Sequence, residues 1–137
     1  MKILFVCTGN TCRSPMAEGI FRAEYKQDGD ECFSAGLYTQ ENSPATPNAI
    51  KAMSEKGIDI SAHRSKTVTA KDINGSDLII AMTESHSETL KLLGADKSKI
   101  KVLGVSDPFG GDLDEYRKCR DEIDIKLKEI FTRVIEK

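Results

Sequence analysis

Apolar residues fall along this chain in short blocks of two kinds, and their alternation predicts the architecture. Ile3-Leu4-Phe5-Val6 and Leu78-Ile79-Ile80-Ala81-Met82 are uninterrupted runs, the pattern of strands covered on both faces. Elsewhere apolar residues recur at helical spacing. The strongest such stripe is Tyr116, Ile123, Leu127, Ile130 and Val134, along a final helix starting near Leu113. Residues 48–56 read as a helix with Ala49, Ile50 and Met53 inward, closed by Gly57.

The remaining elements follow from the same signals. A strand over 2–6 leads to a helix over about 13–25, a turn cluster over 27–30 and a second strand over 31–35. A short helix over 69–73 precedes a third strand, 77–82. Thr83 then caps a helix with Leu90 and Leu93 inward, ended by Gly94, and 100–103 supplies a fourth strand. Strands alternating with helices imply a parallel sheet covered on both faces. In such sheets ligands gather outside the carboxyl ends of the strands, near a topological switch point. The segments that follow the strands are therefore where chemistry is expected.

The first of them carries it. Cys7-Thr8-Gly9-Asn10-Thr11-Cys12-Arg13-Ser14-Pro15 places a thiol and a guanidinium six positions apart, with small residues between and a helix following. Gly9 and Asn10 tolerate positive φ, which lets the chain curl until successive N–H groups face inward. Such a nest at a helix N-terminus binds tetrahedral oxyanions. Arg13 adds a planar fork for two phosphate oxygens. The same positive field favours Cys7 as a thiolate nucleophile, and Ser14 is placed to hydrogen-bond that sulfur. A lone Cys at a strand end is most often a buried structural residue; Arg13 at this offset reverses that reading.

Other chemistry fits poorly. Cys7 and Cys12 lack a second Cys/His pair at ligand spacing, with only His63 and His86 remaining, so no metal is expected. No Gly-Lys-Ser/Thr follows the loop, so the ATP-type phosphate loop is absent. A chain of 137 residues is expected to form one domain, 1–137. A net charge of −2 argues against nucleic-acid binding. No apolar run approaches the roughly 20 residues that span a bilayer. With no signal-peptide pattern and four cysteines, one needed as a thiolate, a cytoplasmic monomer without cofactor or membrane contact is expected.

The stretch from Phe5 to Glu18 resembles the active-site signature of the low-molecular-weight protein phosphatases: Cys, five residues, Arg, Ser. Asp107-Pro108 matches the late Asp-Pro of that family. Ser34-Ala35-Gly36 and Ile60-Ser61-Ala62-His63-Arg64 match further landmarks, so the resemblance spans the chain. It implies an α/β three-layer sandwich on a four-stranded parallel sheet of flavodoxin-like, Rossmann-like topology, and phosphorylated proteins as substrates. It also implies Cys7 as nucleophile through a phosphocysteine, with residues 8–14 binding phosphate beside Arg13. Asn10, Ser14, Ser34 and His63 would brace the loop, and Cys12 would either trap oxidised Cys7 as a reversible disulfide or serve as a small buried filler.

Asp107 is the expected general acid and then base, stiffened by Pro108, with burial or the bound phosphate favouring its protonated form. Asp112 and Asp114 are rivals that belong better to the solvated start of the last helix. Tyrosine-directed members usually carry a bulky aliphatic residue at the position of Thr11 and paired aromatics after the Asp-Pro. Thr11 with Phe109-Gly110-Gly111 is instead similar to the protein-arginine phosphatase branch. A hydroxyl at Thr11 and a single aromatic wall at Phe109 suit a planar cation. The expected substrate is protein phosphoarginine, with phosphotyrosine as the alternative. An arsenate reductase would need a further cysteine relay, and 81–94 contains no Cys. A non-catalytic phosphate carrier would not need both Arg13 and Asp107.

Overall fold

The computed structural model describes residues 1–136, and side chains as far as 132. The strands are β1 (Lys2–Cys7), β2 (Glu31–Gly36), β3 (Leu78–Ala81) and β4 (Ile100–Val102). The helices are α1 (Arg13–Ile20), α2 (Pro47–Ser54), α3 (Ala70–Gly75), α4 (Glu84–Leu92) and α5 (Leu113–Glu136). All strand pairs are parallel, in the order β2-β1-β3-β4. The α/β three-layer architecture expected from the sequence is the one observed.

The two-sided burial of β1 follows directly from its sequence. Ile3, Phe5 and Cys7 face the layer of α1, α2 and α5 with Ile80 and Met82 of the β3 region. Leu4 and Val6 face the opposite layer with Ile79 and Ala81, against Ile73 of α3 and Leu90 of α4. Each fully buried aliphatic side chain of this kind stabilises the fold by about 1.5–3 kcal/mol. β1 lies between β2 and β3, so the sheet grows from it in both directions, and the loop after it opens at the switch point.

Several boundaries differ from expectation for packing reasons. The first helix is α-helical only to Ile20 and widens into a π turn over Phe21–Tyr25. That turn lays Phe21 between Phe5 and Phe131, at centroid distances of 5.8 and 4.7 Å, and brings the Tyr25 hydroxyl to Asp124 Oδ1 at 2.8 Å. On α2 the buried residues are Ala49, Ala52 and Met53, while Ile50 is half-buried. Leu93, expected inward, is exposed: α4 ends at Leu92, and the chain returns to the core at Ala95. Along α5, Tyr116, Ile123 and Leu127 are buried and Ile130 packs partly against them. The Val134 side chain lies outside the described residues.

An ionic knot ties α2 to α5. Glu55 accepts from Arg117 Nε at 3.0 Å and from the buried Arg120 at 2.8 Å, while Arg120 also donates to Ala52 O at 2.8 Å. Those hydrogen bonds, Arg117 first and then Arg120, hold the Glu55 carboxyl down at about 2. The stability linked to this carboxylate is fully present above its ordinary value of 4.5 and is lost as pH falls through about 2. Glu55→Gln is expected to lower the thermal midpoint at neutral pH. It should also flatten the midpoint's decline between about pH 4.5 and 2, read by melting the two proteins across that range.

Candidate active site

The loop between β1 and α1 is shaped by one residue in the left-handed region. Asn10 has φ of 57°, while Gly9, the other candidate, is not at positive φ. Asn is among the few residues that adopt this conformation readily. Its side chain is then used at both ends. Asn10 Oδ1 accepts from Lys66 N–H at 3.0 Å, which sets the amide's orientation. Nδ2 therefore donates, to Ser34 Oγ at 3.0 Å and Ser14 Oγ at 2.8 Å. Ser14 accepts from Asn10, so its own hydrogen is available to Cys7 Sγ, 2.9 Å away. The Asn10 N–H adds a second bond to the sulfur at 3.2 Å. Cys7, Asn10, Ser14 and Ser34 are all buried.

The backbone is clamped from outside. Leu37 N–H donates to Cys7 O, Tyr38 N–H to Thr8 O, and Thr46 N–H to Thr11 O, at 2.9–3.0 Å. His63 Nε2 lies 2.7 Å from Asn10 O and must be the donor. In a planar trans peptide the next N–H points opposite to the carbonyl. The amides of Thr8, Gly9, Thr11 and Cys12 thus turn to the other side of the loop, where a cavity of about 210 Å³ opens. Cys7 and Arg13 form its buried floor; Thr8, Thr11, Asp107 and Phe109 stand around it, and Gly9 and Cys12 also border it. The start of α1 at Arg13 adds the positive end of a helix.

Arg13 comes from α1 and Asp107 from the loop after β4, and the parallel sheet brings both to one edge. Arg13 donates to Val105 O at 3.0 Å and lies 3.6 Å from Asp107 Oδ2. The Asp107 side chain is 48 % exposed, so burial, one of the two expected reasons for its protonated form, does not operate. Its Oδ1 accepts from Phe109 N–H at 3.0 Å, and the exposed Phe109 borders the cavity. The rivals lie elsewhere: Asp112 caps α5 by accepting from Glu115 N–H at 2.9 Å, and Asp114 pairs with Arg117 at 2.7 Å.

Cys12 is buried beneath the loop with its sulfur 3.3 Å from the Tyr116 hydroxyl and 3.7 Å from Thr46 Oγ1. Burial, and then the bond to Cys12, pushes Tyr116 up to about 12. Cys119 is buried as well; desolvation raises it to about 12 against the pull of Arg13, so it stays a thiol. The cysteines are all free.

Two contributors escaped the sequence reading. Gly36 ends β2 where the loop crosses it: a Cβ there would lie 2.6 Å from Thr8 O and 3.0 Å from Asn10 N, and would collide with Thr39. Its place in Ser34-Ala35-Gly36 was the available signal. The other is His86, whose Nε2 is 2.8 Å from Thr8 Oγ1. Burial first, and Arg13 second, lower it to about 4 against an opposing pull from Asp107, so the ring is neutral near pH 7. No local pattern announced it, because it serves as a histidine variant of the capping box with Thr83.

Residues 2–137 match the family described as low molecular weight phosphotyrosine protein phosphatase. A protein-arginine-phosphatase of Bacillus subtilis is 38% identical, covering 95% of this chain and 94% of its own. An arsenate reductase of Staphylococcus epidermidis is 37% identical, covering 96% of each. Among solved structures, a YwlE arginine phosphatase mutant with a phosphorylated active site serine is 36% identical with a TM-score of 0.90, covering 98% of this chain and 95% of that one. A low molecular weight protein tyrosine phosphatase from T. tengcongensis is 40% identical with a TM-score of 0.89, covering 97% and 99%. Among the described residues no helix is long and apolar enough to cross a membrane.

Gly36→Ala is expected to destabilise the protein by about 1–3 kcal/mol, because the loop backbone must yield to the new methyl. It should also weaken competitive inhibition by inorganic phosphate. A loss of melting temperature with unchanged inhibition would show that Gly36 does not shape the loop.

Proposed function

The chain belongs to the low-molecular-weight phosphotyrosine protein phosphatase family, and from that premise we propose that it hydrolyses phosphoryl groups on proteins, with phosphoarginine preferred. Cys7 sulfur attacks phosphorus and forms an S–P bond as the bond from phosphorus to the substrate nitrogen breaks. Asp107 gives its proton to that nitrogen. Water then attacks the phosphocysteine; Asp107 takes a proton from the water, the S–P bond breaks, and phosphate leaves with Cys7 restored as thiolate. Arg13 and the loop amides hold the three phosphoryl oxygens, and Ser14 donates to the sulfur when it carries charge. Because Asp107 is half-exposed, the proton of the first step is held by the negative phosphoryl group brought beside it rather than by burial.

The preference for phosphoarginine rests on the make-up of the cavity walls. The walls of the slot are largely apolar, but Thr8 and Thr11 bring hydroxyl-bearing side chains to it, and among the described residues Phe109 is the one aromatic that lines it, where a phenol ring would favour a fuller apolar enclosure. A guanidinium can pair with Asp107 before taking its proton and can stack on Phe109. Phosphotyrosine remains the alternative, since a relative named as a protein tyrosine phosphatase is as similar in sequence as those named as arginine phosphatases. Arsenate reduction through a cysteine relay is disfavoured: Cys32 is locked in the β1–β2 ladder opposite Ile3, and 81–94 carries no thiol. Cys12 remains the partner for reversible oxidation of Cys7.

Matched phosphoarginine and phosphotyrosine peptides should give a higher kcat/KM for phosphoarginine; a clear phosphotyrosine preference overturns the assignment. Thr11→Ile should shift the ratio toward phosphotyrosine by about tenfold, read in the same pair of assays. Asp107→Asn should lower kcat on phosphoarginine by about 10²–10⁴-fold, with a smaller loss on a nitrophenyl ester whose leaving group needs no proton.

A further inference from the structure

Thr8 stands on the cavity wall, yet its hydroxyl is held from the other side of the sheet. Among the described residues the one side-chain partner of Thr8 Oγ1 is His86 Nε2, on the first turn of α4. That helix belongs to the layer opposite α1. The direction of the bond can be assigned. Thr83 N–H is a donor, and it lies 3.2 Å from His86 Nδ1, so Nδ1 accepts. A neutral imidazole with Nδ1 accepting carries its hydrogen on Nε2. His86 Nε2 therefore donates and Thr8 Oγ1 accepts.

The consequence falls on the hydroxyl hydrogen of Thr8. It cannot point at His86, and Thr8 is exposed into the cavity that Cys7 and Arg13 floor. We propose that His86 is a positioning residue of the phosphatase reaction, holding Thr8 so that its hydroxyl donates to a phosphoryl oxygen bound above Cys7. The proposal rests on the phosphatase reading above and deepens it. An anionic oxygen is the acceptor that completes this bond; the Arg13 guanidinium, which lines the same cavity, offers none. Thr8 thereby supplies a neutral donor to the cavity, its hydroxyl oxygen anchored by His86 before substrate arrives. His86 contributes without touching the substrate.

Two amide substitutions separate this role from helix capping. The asparagine amide reaches the place of Nδ1, and the glutamine amide reaches the place of Nε2. His86→Asn therefore keeps an acceptor for Thr83 N–H but loses the reach to Thr8, whereas His86→Gln restores a donor to Thr8. The readout is the affinity of inorganic phosphate, by calorimetric titration and as competitive inhibition of nitrophenyl phosphate hydrolysis, with melting temperatures to confirm folding. Thr8→Val should weaken phosphate about tenfold, and Thr8→Ser should stay within about twofold of the original. His86→Asn should weaken it about threefold to tenfold, and His86→Gln should recover most of that loss.

In the Thr8→Val background, His86→Asn should cost nothing further. Equal losses from His86→Asn in both backgrounds, or His86→Gln no better than His86→Asn, overturn the proposal. So does unchanged phosphate affinity in Thr8→Val. The titration needs no turnover: a protein that binds phosphate with this mutational pattern but hydrolyses nothing upholds the His86–Thr8 device and sinks the phosphatase reading instead.

Discussion

The site depends on how Asn10 is held. A positive φ at one buried residue lets the loop double back over Cys7, and the side chain of that same residue joins everything around it. Lys66 N–H fixes one end of its amide; Ser34 and Ser14 take the other. Because that assignment leaves the Ser14 hydrogen free for Cys7, the direction of the hydrogen bond to the sulfur is set by a backbone amide far along the chain, that of Lys66. A buried polar network of this kind is strong only when fully satisfied, and among the described residues no buried side-chain nitrogen or oxygen lacks a partner.

The sheet order explains why such distant segments meet. β1 sits between β2 and β3, so the loop leaving it is flanked on one side by the end of β2, with Gly36, and on the other by the end of β3, with Thr83 and His86 beyond it. The loop after β4 brings Asp107 across the front. Every group that touches the cavity thus arrives at the carboxyl edge of a parallel sheet, on the end of β1 and the loop after it, the start of α1 or the loop after β4. Rigid strands carry the loop and exposed loops carry the acid.

Some of this was open to reading along the chain. The strand runs, the capped helices and the Cys7–Arg13 spacing are local patterns, and the sheet that they imply formed as expected. Element ends were less legible. The first helix widens at Phe21 because Phe5 and Phe131 claim its side chain, and Leu93 stays in solvent because α4 stops short of it. Asp107 could be picked out by its neighbours Pro108 and Phe109, but its exposure could not. His86 entered the sequence reading only as one of two histidines without a ligand pair, because the hydroxyl it meets, that of Thr8, lies far away along the chain.

What the sequence determined by itself is the chemistry at the floor of the cavity. A thiol, small residues, Asn and a guanidinium on one short loop carry their geometry in their own backbone preferences, so they can be read without a fold. What only the tertiary structure decided is which groups polarise and aim that chemistry. Hydrogen-bond direction is settled by the partners of partners: Lys66 for Asn10, Asn10 for Ser14, Thr83 for His86, His86 for Thr8. Such chains of donors cross strands and layers, and no local spacing in a linear sequence encodes them.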